Sequence, residues 1–159
     1  MSAILRARTL ALVPFMLAAV LVASMFAFTP SAEAASRGQK IHNALQIVKN
    51  QKGDPYRYGA AGPNRFDCSG LIYYSYRKAG ITNIPRTSGQ QARFTKRIKK
   101  SNMRKGDLMF FHNGGSVYHV AVFAGWKDGR RKMVHAPSTG KRVHVAKPWT
   151  KRWYAGTLR

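Results

Sequence analysis

The hydrophobic pattern of this chain changes period near Gly106, and that change dictates a fold class. Before it the apolar residues recur with helical spacing. Ile41, Ala44, Leu45 and Val48 stand at i, i+3, i+4 and i+7, which predicts an amphipathic helix over 36–52. Ser36 with Gln39 fits a capping box at its start, and Gly53 and Pro55 end it. The segment 56–66 carries several Gly and Pro and reads as a loop. A second helix is predicted over 67–79, with Leu71, Ile72, Ser75, Tyr76 and Ala79 on one face and Gly80 closing it. One further helical turn is expected near 88–94. After Gly106 the apolar runs shorten to 108–111, 120–123, 132–135, 143–145 and 153–158, separated by Gly114-Gly115, Asp128-Gly129 and Thr139-Gly140. Helices first and strands second predict an α+β domain, with N-terminal helices packed on a mainly antiparallel sheet of about five strands. The sequence shows no internal repeat and no sign of a second folded domain.

Residues 1–34 read as a signal peptide. Arg6 and Arg8 precede an almost unbroken apolar stretch over 9–28, and Ala32-Glu33-Ala34 offers a small-x-small cleavage site. The competing reading is a retained membrane anchor, since about 20 apolar residues can span a bilayer. On the first reading the product is a single domain, residues 35–159, secreted and extracellular or wall-associated, with no stable membrane span. The chain holds 28 Lys+Arg against 5 Asp+Glu, a net charge of +23. Such a balance points to a polyanionic partner. At 45% hydrophobic, the chain is too apolar for a charged disordered segment. Beyond residue 34 the acids are Asp54, Asp67, Asp107 and Asp128 alone. That excludes a glycosidase built on paired carboxylates and a carboxylate-rich calcium site. The basic stretch 93–105 reads as a solvated face or as a dock for anionic polymer. Its aromatics are not interleaved with the basic residues as a nucleic-acid stacking platform requires, so nucleic acid is not the expected partner. Trp149 and Trp153 read as core or edge packing, with a sugar platform as the alternative.

The chain contains one cysteine, Cys68, so no intramolecular disulfide framework holds it together. A free cysteine is commonly a small buried hydrophobe. Here Cys68 begins a predicted helix, where the helix dipole and the basic surroundings favour a thiolate. Asp67 before it can cap the helix, and Ser69-Gly70 after it are small enough for a substrate to approach. A nucleophile and a buried hydrophobe are both open on these grounds. A nucleophile needs a basic partner on a rigid element. Of the five histidines, His42 lies off the apolar stripe of its helix, His112 reads as a loop residue, and His144 alternates away from Val143 and Val145. His119 begins one apolar run and His135 ends another. At the edges of adjacent strands these two can meet as base and orienter.

The string Asp67-Cys68-Ser69-Gly70-Leu71-Ile72 resembles the nucleophile motif of the NlpC/P60 family of papain-like cell-wall cysteine peptidases. Five more motifs follow in the family's order: Tyr56-Arg57-Tyr58-Gly59, Pro85-Arg86-Thr87 with Gln90-Gln91, Gly106-Asp107-Leu108-Met109-Phe110-Phe111, His119 to Gly125, and Met133 to Pro137. The resemblance implies Cys68 as nucleophile, His119 as general base, His135 as the residue orienting it, and Tyr56 near the oxyanion site. Ala60 departs from the family's second Gly, which puts a methyl group beside that loop. The implied reaction is hydrolysis of amide bonds in peptidoglycan stem peptides, next to a D-glutamyl residue, with no cofactor and no metal, by a monomer. Peptidoglycan and anionic wall polymers are the implied partners. The alternatives are a catalytically weak basic wall-binding protein, an amidase or acyltransferase of the same fold, and a zinc hydrolase with Cys68, His119 and His135 as ligands.

Overall fold

A computed structural model describes residues 32–159. The signal-peptide assignment therefore lies outside the described residues, except that Ala32-Glu33-Ala34 begin the first helix. Among the described residues no helix is long and apolar enough to cross a membrane. Helix α1 spans Ala32–Asn50, four residues longer at its start than the capping box predicts. Ala32 to Ala35 are mostly strong helix formers and carry the helix past Ser36. Gln39 then turns its side chain to Asn43, donating at 2.9 Å, instead of capping. The predicted stripe of Ile41, Ala44, Leu45 and Val48 is fully buried.

Helix α2 spans Cys68–Lys78 and α3 spans Ser88–Phe94. The strands are β1 (Lys96–Ile98), β2 (Leu108–His112), β3 (Val117–Lys127), β4 (Arg130–His135), β5 (His144–Ala146) and β6 (Trp153–Thr157). They form one sheet in the order β1-β6-β2-β3-β4-β5, antiparallel throughout. The sheet thus has six strands where the sequence predicts about five. The extra one, β1, is a three-residue edge strand of Lys96, Arg97 and Ile98. A basic edge carries no apolar signal, yet charged residues there protect an open sheet edge from pairing. His112 also belongs to a strand rather than a loop.

The four residues Leu108 to Phe111 are all buried because both faces of the central sheet are covered. Leu108, Phe110, Val120, Val122 and Val134 pack with Ile41, Leu45, Leu71 and Tyr76 of the helices. The opposite face gathers Met109, Phe111, Ala121, Phe123, Met133 and Trp153. An uninterrupted apolar run is the sequence mark of such a doubly buried strand. The Tyr76 hydroxyl donates to the Gly106 carbonyl at 2.5 Å, which pins α2 to the start of β2. Buried Asp107 is paired with Arg159 and accepts from the Thr157 hydroxyl at 2.7 Å, tying the chain end to the sheet.

Candidate active site

Cys68 is the first residue of α2, held there by Asp67. The Asp67 side chain caps the helix by accepting from the Gly70 amide at 2.6 Å. It also accepts from the Gly59 amide at 3.0 Å and the Ser69 hydroxyl at 3.2 Å. Arg86 spans both carboxylate oxygens, at 3.1 and 2.6 Å, and reaches the Ala60 carbonyl at 3.3 Å. One carboxylate therefore fixes the helix start, the loop before it and the segment leading into α3. Gly70 serves the same join. A methyl group on it would collide with the Ala60 carbonyl oxygen. Its smallness fits the helix against its own loop, not against a substrate as the sequence reading had it. Ala60 has no left-handed backbone conformation, whereas Gly59 has φ +76°. A second Gly is thus not needed there.

Pairing between β3 and β4 begins at Val122 opposite Val134. The Val120 amide lies outside that pairing and is near enough to the Cys68 sulfur to favour its charged form. Cys68 is half-buried and so sits against β3 one residue from His119. His119 Nε2 lies 3.0 Å from His135 Nδ1, with the rings edge-on. Both histidines are buried. Trp149, half exposed, stacks on Phe111 at 4.3 Å and 8°. It also lies 5.3 Å from the His119 ring and 5.5 Å from that of His135, roofing the pair.

Burial pulls the pKa of His119 down to about 4. Burial, with help from the charges of His119, His144 and Lys141, pulls His135 down to about 3. Both rings are neutral at pH 7. Burial likewise pushes the Cys68 thiol up, and the Asp67 charge adds to it. The amides of Val120, Ser69 and Cys68 pull the other way without prevailing. The expected bias toward thiolate from the helix dipole is thus outweighed by desolvation. Cys68 thus rests as a thiol, and His119 and His135 as neutral imidazoles. Tyr56 is pushed up by burial first, then by Cys68 and Asp67, which places it beside both.

The structure brings Cys68, Tyr56 and the segment before His119 together, and His119 with His135. His42 stays on the exposed side of α1. Sequence reasoning set His144 aside, yet it is the cross-strand partner of His135, with ring centroids 4.8 Å apart. Its signal was the alternation of β5 itself, which shows a face but not the neighbour on it. Trp149 was read as packing. It packs, but over the histidines. Trp153 is in the core as read. Among the described residues no three His, Cys, Asp or Glu side chains converge as metal ligands.

An α+β domain with a capped cysteine at a helix start, set against adjacent strands that each bring one histidine, is the frame of a cell-wall hydrolase family. The family model described as NlpC/P60 matches residues 53–159, and the chain belongs to that family. It is 33% identical over 132 residues to murein DD-endopeptidase MepH of Escherichia coli, covering 76% of this chain and 47% of that protein. The chain thus spans about half the length of that curated relative. Among solved structures, the NlpC/p60 domain of the peptidoglycan hydrolase SagA superposes with a TM-score of 0.66. That match has 28% identity and covers 74% of this chain and 98% of that one. RipD of Mycobacterium tuberculosis, described as a non-catalytic NlpC/p60 domain protein adapted to peptidoglycan binding, gives a TM-score of 0.63. It is 26% identical, over 76% of this chain and 98% of that one.

Proposed function

We propose that this protein is a secreted cysteine peptidase that hydrolyses amide bonds in peptidoglycan stem peptides, at a D-glutamyl linkage, using Cys68, His119 and His135. Residues 1–34 are its signal peptide and 35–159 its catalytic domain. The observation that carries the reading is the line from the Cys68 sulfur through β3 to the His119–His135 hydrogen bond. As the sulfur bonds to the amide carbon, the thiol proton passes to the free nitrogen of His119, Nδ1. His119 is held for this by its Nε2–H donating to His135 Nδ1. The carbonyl oxygen gathers charge near the Cys68 amide and Tyr56. His119 then gives the proton to the leaving amine and the C–N bond breaks. A water, deprotonated by His119, attacks the thioester, releasing a carboxylate and restoring the thiol.

A half-buried thiol with a raised pKa and a buried imidazole with a lowered one rest uncharged, not as a standing ion pair, so the proton moves as the sulfur attacks. The same raised thiol favours a second reading, a catalytically weak basic protein that binds the wall. The two separate on incubation with purified peptidoglycan. The peptidase releases new amino termini, loses this activity on alkylation of the thiol, and keeps it with a chelator. A binding protein adheres and releases none. Anionic wall polymers are its second partner, and salt-sensitive adhesion to isolated walls is their expected mark.

A further inference from the structure

Two clefts meet at this site. One, of about 500 Å³, is lined by Tyr56, Cys68, Ser69, Arg86 and Tyr118. The other, of about 490 Å³, is lined by Tyr118, His119, His135, Lys141, His144 and Lys147, with Trp149 beside them. Tyr118 borders both, so they are two halves of one groove with the cysteine in one and the histidines in the other. In acyl transfer the histidine that protonates the leaving amine lies on the amine's side. The second cleft is therefore where the leaving half of the substrate sits.

The charge of that half-groove is one-sided. Lys141 and Lys147 line it and no carboxylate does. Two of the domain's four acids, Asp67 and Asp107, are engaged with Arg86 and Arg159, and neither Asp54 nor Asp128 lines the cleft. The Lys141 backbone is fixed, since its carbonyl accepts from the Tyr56 amide at 2.9 Å. The wall also holds an unmet polar atom. His135 is 4% exposed, its Nδ1 is used by His119, and its Nε2 is buried with no partner. A cleft of single charge with low-dielectric walls concentrates ligands of the opposite charge.

We propose that the histidine-side cleft selects substrates whose leaving half carries a free carboxylate, bound by Lys141 and Lys147. This rests on Cys68 and His119 being the reacting pair. The ligand class is an amino acid or peptide amine bearing a carboxylate near the scissile nitrogen. Amidation of that carboxylate abolishes the recognition.

The test uses the full chain and two synthetic stem-peptide fragments, one with a free carboxylate on the amine side of the scissile bond and one amidated there. Expected is a preference in kcat/KM of about tenfold for the acid, the size of one good charge-assisted contact. In the double variant Lys141→Met, Lys147→Met the ratio falls to about one. Turnover that depends on Cys68 but ignores amidation, or a preference unchanged in the double variant, overturns the proposal and leaves the peptidase reading standing. Where neither fragment is turned over, calorimetry on the Cys68→Ala chain decides. Tighter binding of the acid, lost with the two lysines, supports the cleft assignment, and equal binding overturns it.

Discussion

His119 Nε2 and His135 Nδ1 lie 3.0 Å apart with the two rings nearly perpendicular, at 86°. Two neutral imidazoles at that distance share one proton. For His119 to accept a proton at Nδ1, its Nε2 must be the donor and His135 Nδ1 the acceptor. The second ring then carries its proton on Nε2, the atom buried without a partner. On the proposed mechanism the pair thus fixes one tautomer.

Replacing His135 separates orientation from bulk. His135→Ala removes the acceptor, and kcat falls by about 10²-fold, the low end of what a positioned proton-transfer group contributes. His135→Asn keeps an acceptor oxygen in a smaller side chain and recovers part of that loss. Steady-state kinetics on both variants checks the order. Equal activities would mean that the ring matters only for packing.

The pH profile follows from the lowered histidine. An ordinary histidine charges near pH 6.5, but His119 charges at about 4. The base is therefore competent down to about pH 4, and the acid limb of kcat/KM lies there rather than near 6.5. Trp149→Ala opens the roof over the pair and weakens the desolvation. The limb then moves upward, toward 6.5. An unmoved limb in this variant would show that Trp149 does not shield the pair.

Asp67 has a side chain 10% exposed and is neutralised by Arg86. Arg86→Met leaves that carboxylate with amide and hydroxyl donors only, at a cost of about 2 kcal/mol. Asp67→Asn keeps a capping oxygen for the Gly70 amide but turns an NH2 toward the Gly59 amide and Arg86, both donors, and costs more. Chemical denaturation of the two variants measures both. A smaller loss in Asp67→Asn than in Arg86→Met would refute the assigned roles.

Gly70→Ala pushes a methyl group into the Ala60 carbonyl. Backbone cannot yield as a side-chain tip does, so stability falls by about 1–3 kcal/mol. Activity falls with it, because the same loop carries Tyr56. Thermal unfolding and peptidoglycan digestion on one preparation read both effects.

The fold was legible because its segments carry clean periods. α2 and α3 were readable to within a residue, and β2 declared itself by an unbroken apolar run. The start of α1 was misread because Ala32 to Ala35 propagate a helix through a residue pair that resembles a cap. β1 was missed because three residues of basic edge strand owe their structure to pairing with β6, which no local pattern encodes. Within the candidate site, Cys68, His119, His135 and Tyr56 were named by motif. The ionisation of Cys68 was not, since it depends on burial created by β3. The placement of Trp149 is likewise a tertiary fact, delivered by the loop between β5 and β6. The same holds for the basic face, where Arg97 lies over Tyr154 and Lys100 over Trp153. The chain keeps these cations and rings far apart, and the sheet brings them together.

The nucleophilic role of Cys68 is tested most directly by mass analysis of peptidoglycan digested with the wild-type chain and with Cys68→Ala. The wild type should release peptide fragments ending at a D-glutamyl residue, and the variant none, while both adhere to the wall. Equal fragment release by the two proteins would contradict the assignment of Cys68.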